Sequence, residues 1–368
     1  MKFSMQREAF SSLIGKIQGV IPSKAVIPIL ANVLIEAKEN QITVTATDLT
    51  VSIRSSVEAT VLEEGGVALP ARRFFQLIRE LRAPEVHLET DANNVAIITS
   101  GSSHFRINGL EKTEFPAFPE IKGGKSFTLP SARLKEMFVN TSFAAAKDDT
   151  RQVLNGICME VRENSVVIVG TDGKKLAKIQ ESVESTSDEK QSSIIPLKAV
   201  EEMVRLLDEE ELTITLTLMS DKIALETDKG CLVSKLLSGQ FPDYERVLPN
   251  RESMHQMFLH RDELMTLLKQ VSLFTTDASH SVKFTFENGE LKLQAVNSEI
   301  GEGKVHMPVD YHDKKLDIAF NPHYFIDILR HCKDETVSFG ITDSFNPGSI
   351  MDTSHAHFVL MPMRLQSE

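Results

Sequence analysis

Three stretches of the chain carry residue types that could do chemistry. Gly124-Lys125-Ser126 resembles the end of a phosphate-binding loop, where glycine amides cradle phosphates and the lysine neutralises them. The first glycine of that pattern would fall at Pro119, so the stretch reads instead as a flexible connection. His355-Ala356-His357 and His331-Cys332 offer imidazole and thiol ligands, but neither belongs to an H-E-x-x-H sequence or a spaced Cys/His set. Asp and Glu total 52, spread everywhere, and no pair stands out as acid and base. No catalytic residue, metal ligand or cofactor is assigned on this reading, and the chain is expected not to be an enzyme.

The elements that would position such residues say more. Val44-Thr45-Ala46-Thr47-Asp48, Val167-Ile168-Val169-Gly170-Thr171-Asp172 and Leu293-Gln294-Ala295-Val296-Asn297 are near-copies, 124 and 125 residues apart. That period is the size of a domain, so it implies triplication of a domain rather than a short solenoid repeat. Each copy opens with a strand and an amphipathic helix: Phe10, Leu13, Ile14 and Ile17 in the first, Leu134, Met137 and Phe138 in the second, Leu264, Leu267, Leu268 and Val271 in the third. A hairpin follows, turning at Glu39-Asn40, Glu163-Asn164 and Asn288-Gly289. A second helix comes next, with Pro70, Pro196 or Pro322 near its start, where a missing N–H costs little. Strands close each unit. The fold class is therefore α+β, with two helices on antiparallel sheet per repeat and domains at 1–122, 127–248 and 253–368. Linkers are expected at Lys122-Gly123-Gly124-Lys125 and Pro249-Asn250-Arg251-Glu252, and a loop from Glu184 to Ser193.

Bulk properties narrow the classes further. The chain has 368 residues, 41% apolar and 25% charged, as in ordinary globular proteins. No run approaches the roughly 20 apolar residues that span a bilayer, and the start lacks a signal-peptide pattern, so a membrane role is not expected. Three cysteines (Cys158, Cys231 and Cys332), odd in number and without a C-x-x-C pair, suggest a reducing cytoplasm. The net charge of −12 opposes nucleic-acid binding until its distribution is read. The expected helices (5–19, 70–82, 131–140, 197–208, 261–271 and 322–333) hold 14 Lys and Arg against 9 Asp and Glu, a net +5 that leaves −17 elsewhere. Solvated helix faces would explain that plainly. A weakly basic helical surface facing a polyanion would explain it too, and would favour loose, salt-sensitive, sequence-independent binding.

At this point the residues match a known pattern. Ile27-Pro28-Ile29-Leu30, Thr47-Asp48-Leu49, Pro70-Ala71-Arg72-Arg73-Phe74-Phe75, Leu154-Asn155-Gly156, Thr171-Asp172-Gly173, Phe241-Pro242-Asp243-Tyr244, Arg246-Val247-Leu248-Pro249 and Met361-Pro362-Met363-Arg364-Leu365 occur in order. Over essentially its whole length the chain resembles the bacterial DNA polymerase III beta subunit family, the sliding clamps. The resemblance implies three clamp domains forming half of a closed six-domain ring, a head-to-tail homodimer around double-stranded DNA that confers processivity. Its implied partners are the polymerase III catalytic subunit, the clamp loader, and other polymerases and repair proteins that dock through short hydrophobic peptides. The alternatives are a repeat-built protein-binding scaffold that does not encircle DNA, and an enzyme whose site assembles between repeats.

Carried over residue by residue, the resemblance implies a peptide pocket lined by Leu154, Thr171, Gly173, Leu176, Pro242, Arg246, Val247, Asn321, Tyr324, Val359, Leu360, Met361, Pro362, Met363 and Arg364. Lys174 and Lys175 stand there where the family often has histidine then arginine, and Phe345 where it has an aliphatic residue. Gln152-Val153 replaces an aromatic pair common in the family, and Gln366-Ser367-Glu368 extends past the usual end. Pro362 cannot donate to a sheet ladder, so the apolar run through Met363 is expected to leave its strand there. DNA-facing candidates are Lys24, Arg72, Arg73, Arg79, Lys198 and Arg205. The dimer contact would join Phe105 and Ile107 of one chain to Leu273 and Phe274 of another.

Overall fold

A computed structural model describes residues 1–183, 191–207, 213–276 and 280–364. Among the described residues the α-helices are α1 (Arg7–Ile17), α2 (Ala71–Glu80), α3 (Ser131–Ser142), α4 (Leu197–Leu206), α5 (Arg261–Ser272) and α6 (Pro322–His331). Each coincides with an expected helix to within a few residues. Within these bounds they hold 12 Lys and Arg against 8 Asp and Glu, so the excess of positive charge persists at +4. Two expectations fail locally. Gln191–Ser193, read as loop, begins the strand Gln191–Pro196, whose partner Gly156–Arg162 supplies the ladder; residues 184–190 of that tract lie outside the described residues. Lys125, read as linker, opens the strand Lys125–Leu129.

The chain divides into two compact units, and the division runs through the second repeat rather than between repeats. One unit holds Met1–Lys135 and Lys198–Leu236. Its α1 buries Phe10, Leu13, Ile14 and Ile17, the i, i+3, i+4, i+7 stripe read from sequence. Phe10 meets Phe74 of α2 edge to face at 5.4 Å between ring centroids, and Phe3 on its other side at 6.1 Å. A five-stranded sheet ends on Ser103–Asn108, and a nine-stranded sheet runs from Leu110–Glu111 to Lys125–Leu129. The nine-stranded sheet crosses a repeat boundary, because Val51–Glu58 pairs antiparallel with Gly230–Lys235.

The other unit holds Glu136–Ser182 and residues 191–197 and 237–364. Its eight-stranded sheet crosses the next boundary in the same way: Lys175–Ser182 pairs antiparallel with His357–Leu360. A four-stranded sheet ends on Gly301–Pro308 at one edge and Leu316–Phe320 at the other. Phe284, Phe320, Phe325 and Phe339 form a contiguous aromatic core beneath α6, with centroids 5.3 to 6.0 Å apart.

The threefold signature has a local cause. The Asp48 carboxylate accepts the N–H groups of Thr50 and Val51 (2.9 and 2.7 Å), and Asp172 those of Lys174 and Lys175 (2.8 and 2.9 Å). The Asn297 amide oxygen does the same for Glu299 and Ile300 (2.8 and 3.3 Å). Each is an Asx turn that fixes a hairpin. Two residues earlier the side chain must be small: a Cβ added at Gly170 would lie 2.1 Å from the Thr141 carbonyl of α3. Ala46 and Ala295 occupy the matching places and are buried.

Candidate peptide cleft and basic strip

In the second unit, the backbone after His357–Leu360 repeats a path used earlier in the chain. Met361 N–H donates to the Lys174 carbonyl at 2.9 Å, and Met363 N–H to Ala319 at 2.7 Å. In the first unit Lys235 N–H donates to Thr50 at 2.9 Å in the same way, and Leu237 N–H in the second unit donates to Ile194 at 2.8 Å. The terminal segment therefore follows the repeat's backbone, leaving the strand at Leu360, just before Pro362. What differs is the side chains. Leu176 and Val359 sit in a buried cluster with Cys158, Val167, Val169 and Tyr244, against which Phe241 and Leu248 pack. At the first junction the counterpart of Leu176 is Ser52, whose hydroxyl is used up by Thr47 at 2.7 Å.

The other candidate pocket residues lie on neighbouring turns and on α6. The Thr171 hydroxyl donates to the Lys175 carbonyl (2.7 Å) and accepts from Gly173 N–H (3.0 Å). Gly173 takes φ +84°, a conformation that favours glycine. Lys175 is buried, with Nζ 2.7 Å from Asp172 and 4.4 Å from the centroid of the Tyr324 ring on α6. Its ammonium thus ties the second repeat's turn to the third repeat's helix through an ion pair and a cation–π contact. Asn321 caps α6, its side-chain oxygen accepting from His323 N–H at 2.9 Å. Leu154 is buried in a short 3-10 turn. Pro242, Val247 and Arg246 are exposed, with Arg246 paired to Asp243 at 2.7 Å. Lys174 and Arg364 are exposed, Pro362 and Met363 half-buried, and Phe345 is 86% exposed.

Sequence reasoning missed a polar network at the edge of this buried cluster. Tyr244 OH donates to Glu160 at 3.0 Å, and the Arg162 guanidinium reaches both Glu160 (2.7 Å) and Glu245 (2.8 Å). Burial, then Glu160, pushes the Tyr244 hydroxyl above its ordinary pKa, and carboxylate hydrogen bonds raise Arg162. Beside the cleft, Arg151 holds the Asp149 carboxyl down to about 2. It missed too that Phe143 stacks on His331 at 3.9 Å between centroids. That contact, with burial lowering the His331 pKa, gives the His331 ring a packing role. Cys332 is buried beside it, and burial pushes its thiol up to about 12. His357 contacts the Ser349 hydroxyl at 2.8 Å. Among the described residues no cluster of three His, Cys, Asp or Glu could hold a metal. In the first unit, Gly124-Lys125-Ser126 leads into a strand, with the Ser126 hydroxyl on Thr217 at 2.9 Å, where a phosphate loop would need a helix N-terminus.

The first unit gathers the candidate DNA-facing cations. Five of the six meet in one strip, residues 18–24, just after α1. Arg79 donates to Gln18 (2.5 Å), Arg72 to the Ser23 carbonyl (3.4 Å), and Lys198 to the Val20 carbonyl (3.1 Å), while Lys24 belongs to the strip itself. Arg205 pairs with the buried Glu202 at 2.5 Å, directly over Gly19, where a Cβ would fall 1.9 Å from the guanidinium. Arg73 is exposed on α2. Lys198 is not a free cation, since its ammonium also lies 2.5 Å from Asp48. In the same unit Phe105 is 38% exposed on an edge strand, with Ile107 half-buried beside it. In the second unit Leu273 is 73% exposed and Phe274 packs over Gly303, with Val296 and Ile300 exposed nearby.

Three family models tile the chain. They are the N-terminal, central and C-terminal domains of the DNA polymerase III beta subunit, matching residues 1–119, 128–243 and 245–364. The chain belongs to the DNA polymerase III beta subunit family. A beta sliding clamp from Chlamydia muridarum is 47% identical over 368 residues, covering all of both chains. One from Pseudomonas aeruginosa is 31% identical, covering 99% of this chain and all of its own. The crystal structure of a beta subunit from Pseudomonas aeruginosa matches with a TM-score of 0.93 at 30% identity, covering 99% and 100% of the two chains. One from Thermotoga maritima matches at 0.92 and 30%, covering 99% of each. The repeats are thus three beta-clamp domains, each with helices on antiparallel sheet, and this beta subunit is a DNA sliding clamp, a processivity factor of DNA replication.

Proposed function

We propose that two copies close head to tail into a ring that encircles duplex DNA and tethers the replicative polymerase through the cleft. The observation that carries this reading is a pair of unmatched strand edges. Inside the chain, each repeat boundary joins the strand after an Asx turn to the last strand of the following repeat. The third repeat's post-turn strand, Gly301–Pro308, and the first repeat's strand Ser103–Asn108, the counterpart of Gly230–Lys235, are left at sheet edges. An open edge is a template for pairing. A heterologous contact that joins these edges and closes after two copies gives a ring without free ends.

The side chains near the two edges support this junction. A cavity of about 400 Å³ lies beside Phe105, lined by Leu77, Leu81, Arg82 and Ser103 among others. Leu273 is exposed just past α5, next to Phe274, which packs over Gly303 of the other edge strand. The basic strip, Lys24 with Arg72, Arg73, Arg79, Lys198 and Arg205, would face the DNA, holding it loosely while topology prevents escape. The cleft would receive short hydrophobic peptides of the polymerase III catalytic subunit, the clamp loader, and other polymerases and repair proteins in the cytoplasm. Its compliant methionines suit several such peptides.

The test is retention on DNA. Clamps loaded on a nicked circle should co-elute with it through gel filtration and dissociate once the circle is linearised. Equal retention on both, or on neither, would refute encirclement and favour a scaffold.

A further inference from the structure

Each repeat opens on a strand that leads into its first helix: Lys2–Gln6 before α1, Lys125–Leu129 before α3 and His255–His260 before α5. The inward positions match. Phe3, Phe127 and Met257 are buried, and so are Met5, Leu129 and Leu259 two residues on. The outward position between them does not match. It is Ser4, then Thr128, then Phe258, which is 67% exposed. An aromatic ring stands in solvent where the other two repeats place a hydroxyl.

The strands also differ in what lies on their outer edge. In the first repeat Thr60–Glu63 pairs antiparallel with Lys2–Gln6, setting Thr60 opposite Ser4 and Val61 opposite Phe3. In the third, His255–His260 is the end strand of its sheet, and its inner side pairs with Thr336–Ile341 through six residues without a bulge. It contains no proline, lysine or acidic residue to discourage a further strand. Among the described residues the other sheet edges are shorter, charged or in use. Leu110–Glu111 has two residues, while Thr60–Glu63 and Lys125–Leu129 carry a glutamate and a lysine. Leu237 and Met363 donate to the edges at Ile194 and Ala319, and Ser103–Asn108 and Gly301–Pro308 are the junction edges. Directly opposite Phe258 is Ser338, whose hydroxyl donates to Gln256 at 2.9 Å, so the ring has no apolar neighbour across that ladder.

We propose that His255–His260 is a docking edge for a short extended segment of a partner protein. The segment adds as an antiparallel strand, with an aliphatic residue opposite Met257 and an aromatic residue opposite Phe258. The first repeat supplies the template, since Thr60–Glu63 occupies the equivalent edge with Val61 opposite Phe3. Backbone N–H and C=O groups give such a strand its affinity, and alternate side chains give it selectivity. The aromatic preference comes from Phe258, because aromatic side chains directly across an antiparallel ladder attract one another. The edge shares no residue with the candidate peptide pocket or with the ring junction.

Two synthetic peptides test this on the full chain: one copying residues 58–65, and the same peptide carrying Thr60→Tyr. Hydrogen exchange resolved by residue reads where each binds. With excess Thr60→Tyr peptide, alternate amides among residues 256–260 should exchange about tenfold more slowly or less still. The wild type should bind that peptide about two- to fivefold more tightly than the unaltered one. Phe258→Thr should bind both alike, and Phe258→Lys should lose the protection altogether. Both variants should melt within about 2 °C of wild type, because the side chain is exposed. No protection at 256–260, equal affinity of the two peptides for wild type, or an unchanged preference in Phe258→Thr would overturn the assignment. So would a fall in sedimenting mass in Phe258→Lys, which would give the edge to a second copy of this chain.

Discussion

Leu273→Ala offers the sharpest test of ring closure. Leu273 is 73% exposed in the single chain, so little of its burial contributes to folding. Fully burying a leucine is worth about 1.5–3 kcal/mol, so seating the exposed three-quarters in the cavity beside Phe105 is worth roughly 1–2 kcal/mol. A two-chain ring has two identical junctions, so one substitution acts twice, for about 2–4 kcal/mol. At about 1.4 kcal/mol per tenfold, the dissociation constant of the ring should rise roughly 30- to 700-fold. Adding Phe105→Arg would set an unpaired guanidinium in the same junction, costing several kcal/mol more, and should leave monomers at any practical concentration. Sedimentation velocity over a dilution series reads both. The folded chain should be nearly indifferent, with a melting temperature within about 2 °C of wild type, because exposed substitutions cost about 0.5 kcal/mol or less. A double variant that sediments as a dimer would refute the edge-to-edge junction. One that loses its cooperative melt would show that these residues serve the fold instead.

Two further outcomes follow from the first unit. Replacing Arg72 and Arg79 with Ala should lower the slope of log affinity against log salt by about 1 for each phosphate no longer neutralised, equally on every sequence; an unchanged slope would remove the strip from the DNA-facing surface. Burial raises the Glu202 pKa despite its pairing with Arg205. The folded chain then keeps a proton that the unfolded chain has released, so this group's contribution is full below the ordinary glutamate value near 4.5 and is lost as pH rises through the folded pKa. Glu202→Gln should remove that decline from urea midpoints measured between mildly acid and neutral pH. An identical profile in both proteins would place the origin elsewhere.

Much of this was legible in the chain because it is local. The apolar spacing of Phe10, Leu13, Ile14 and Ile17 fixes which face of α1 is buried, and short-range turn chemistry makes Thr171-Asp172-Gly173 recur in kind at Thr47-Asp48. The strand at Gln191–Ser193 was not legible, because polar residues become a strand only when Gly156–Arg162 supplies a partner. The candidate pocket residues were named through resemblance, but the network in which Glu160 and Arg162 meet Tyr244 joins residues more than 80 apart. No periodicity or motif records such a contact.

The sequence by itself determined the three repeats, their paired helices, and a positive helical charge in a negative chain, because periodicity and turn propensity act over a few residues. Only the tertiary structure decided that the sheets run across repeat boundaries, since strand pairing is set by which edges meet. It likewise decided that five cations share the strip after α1, that Lys198 is partly occupied by Asp48, and that Lys175 of the second repeat reaches Tyr324 of the third. These depend on where long side chains end in space, and electrostatic attraction follows separation in space rather than separation along the chain.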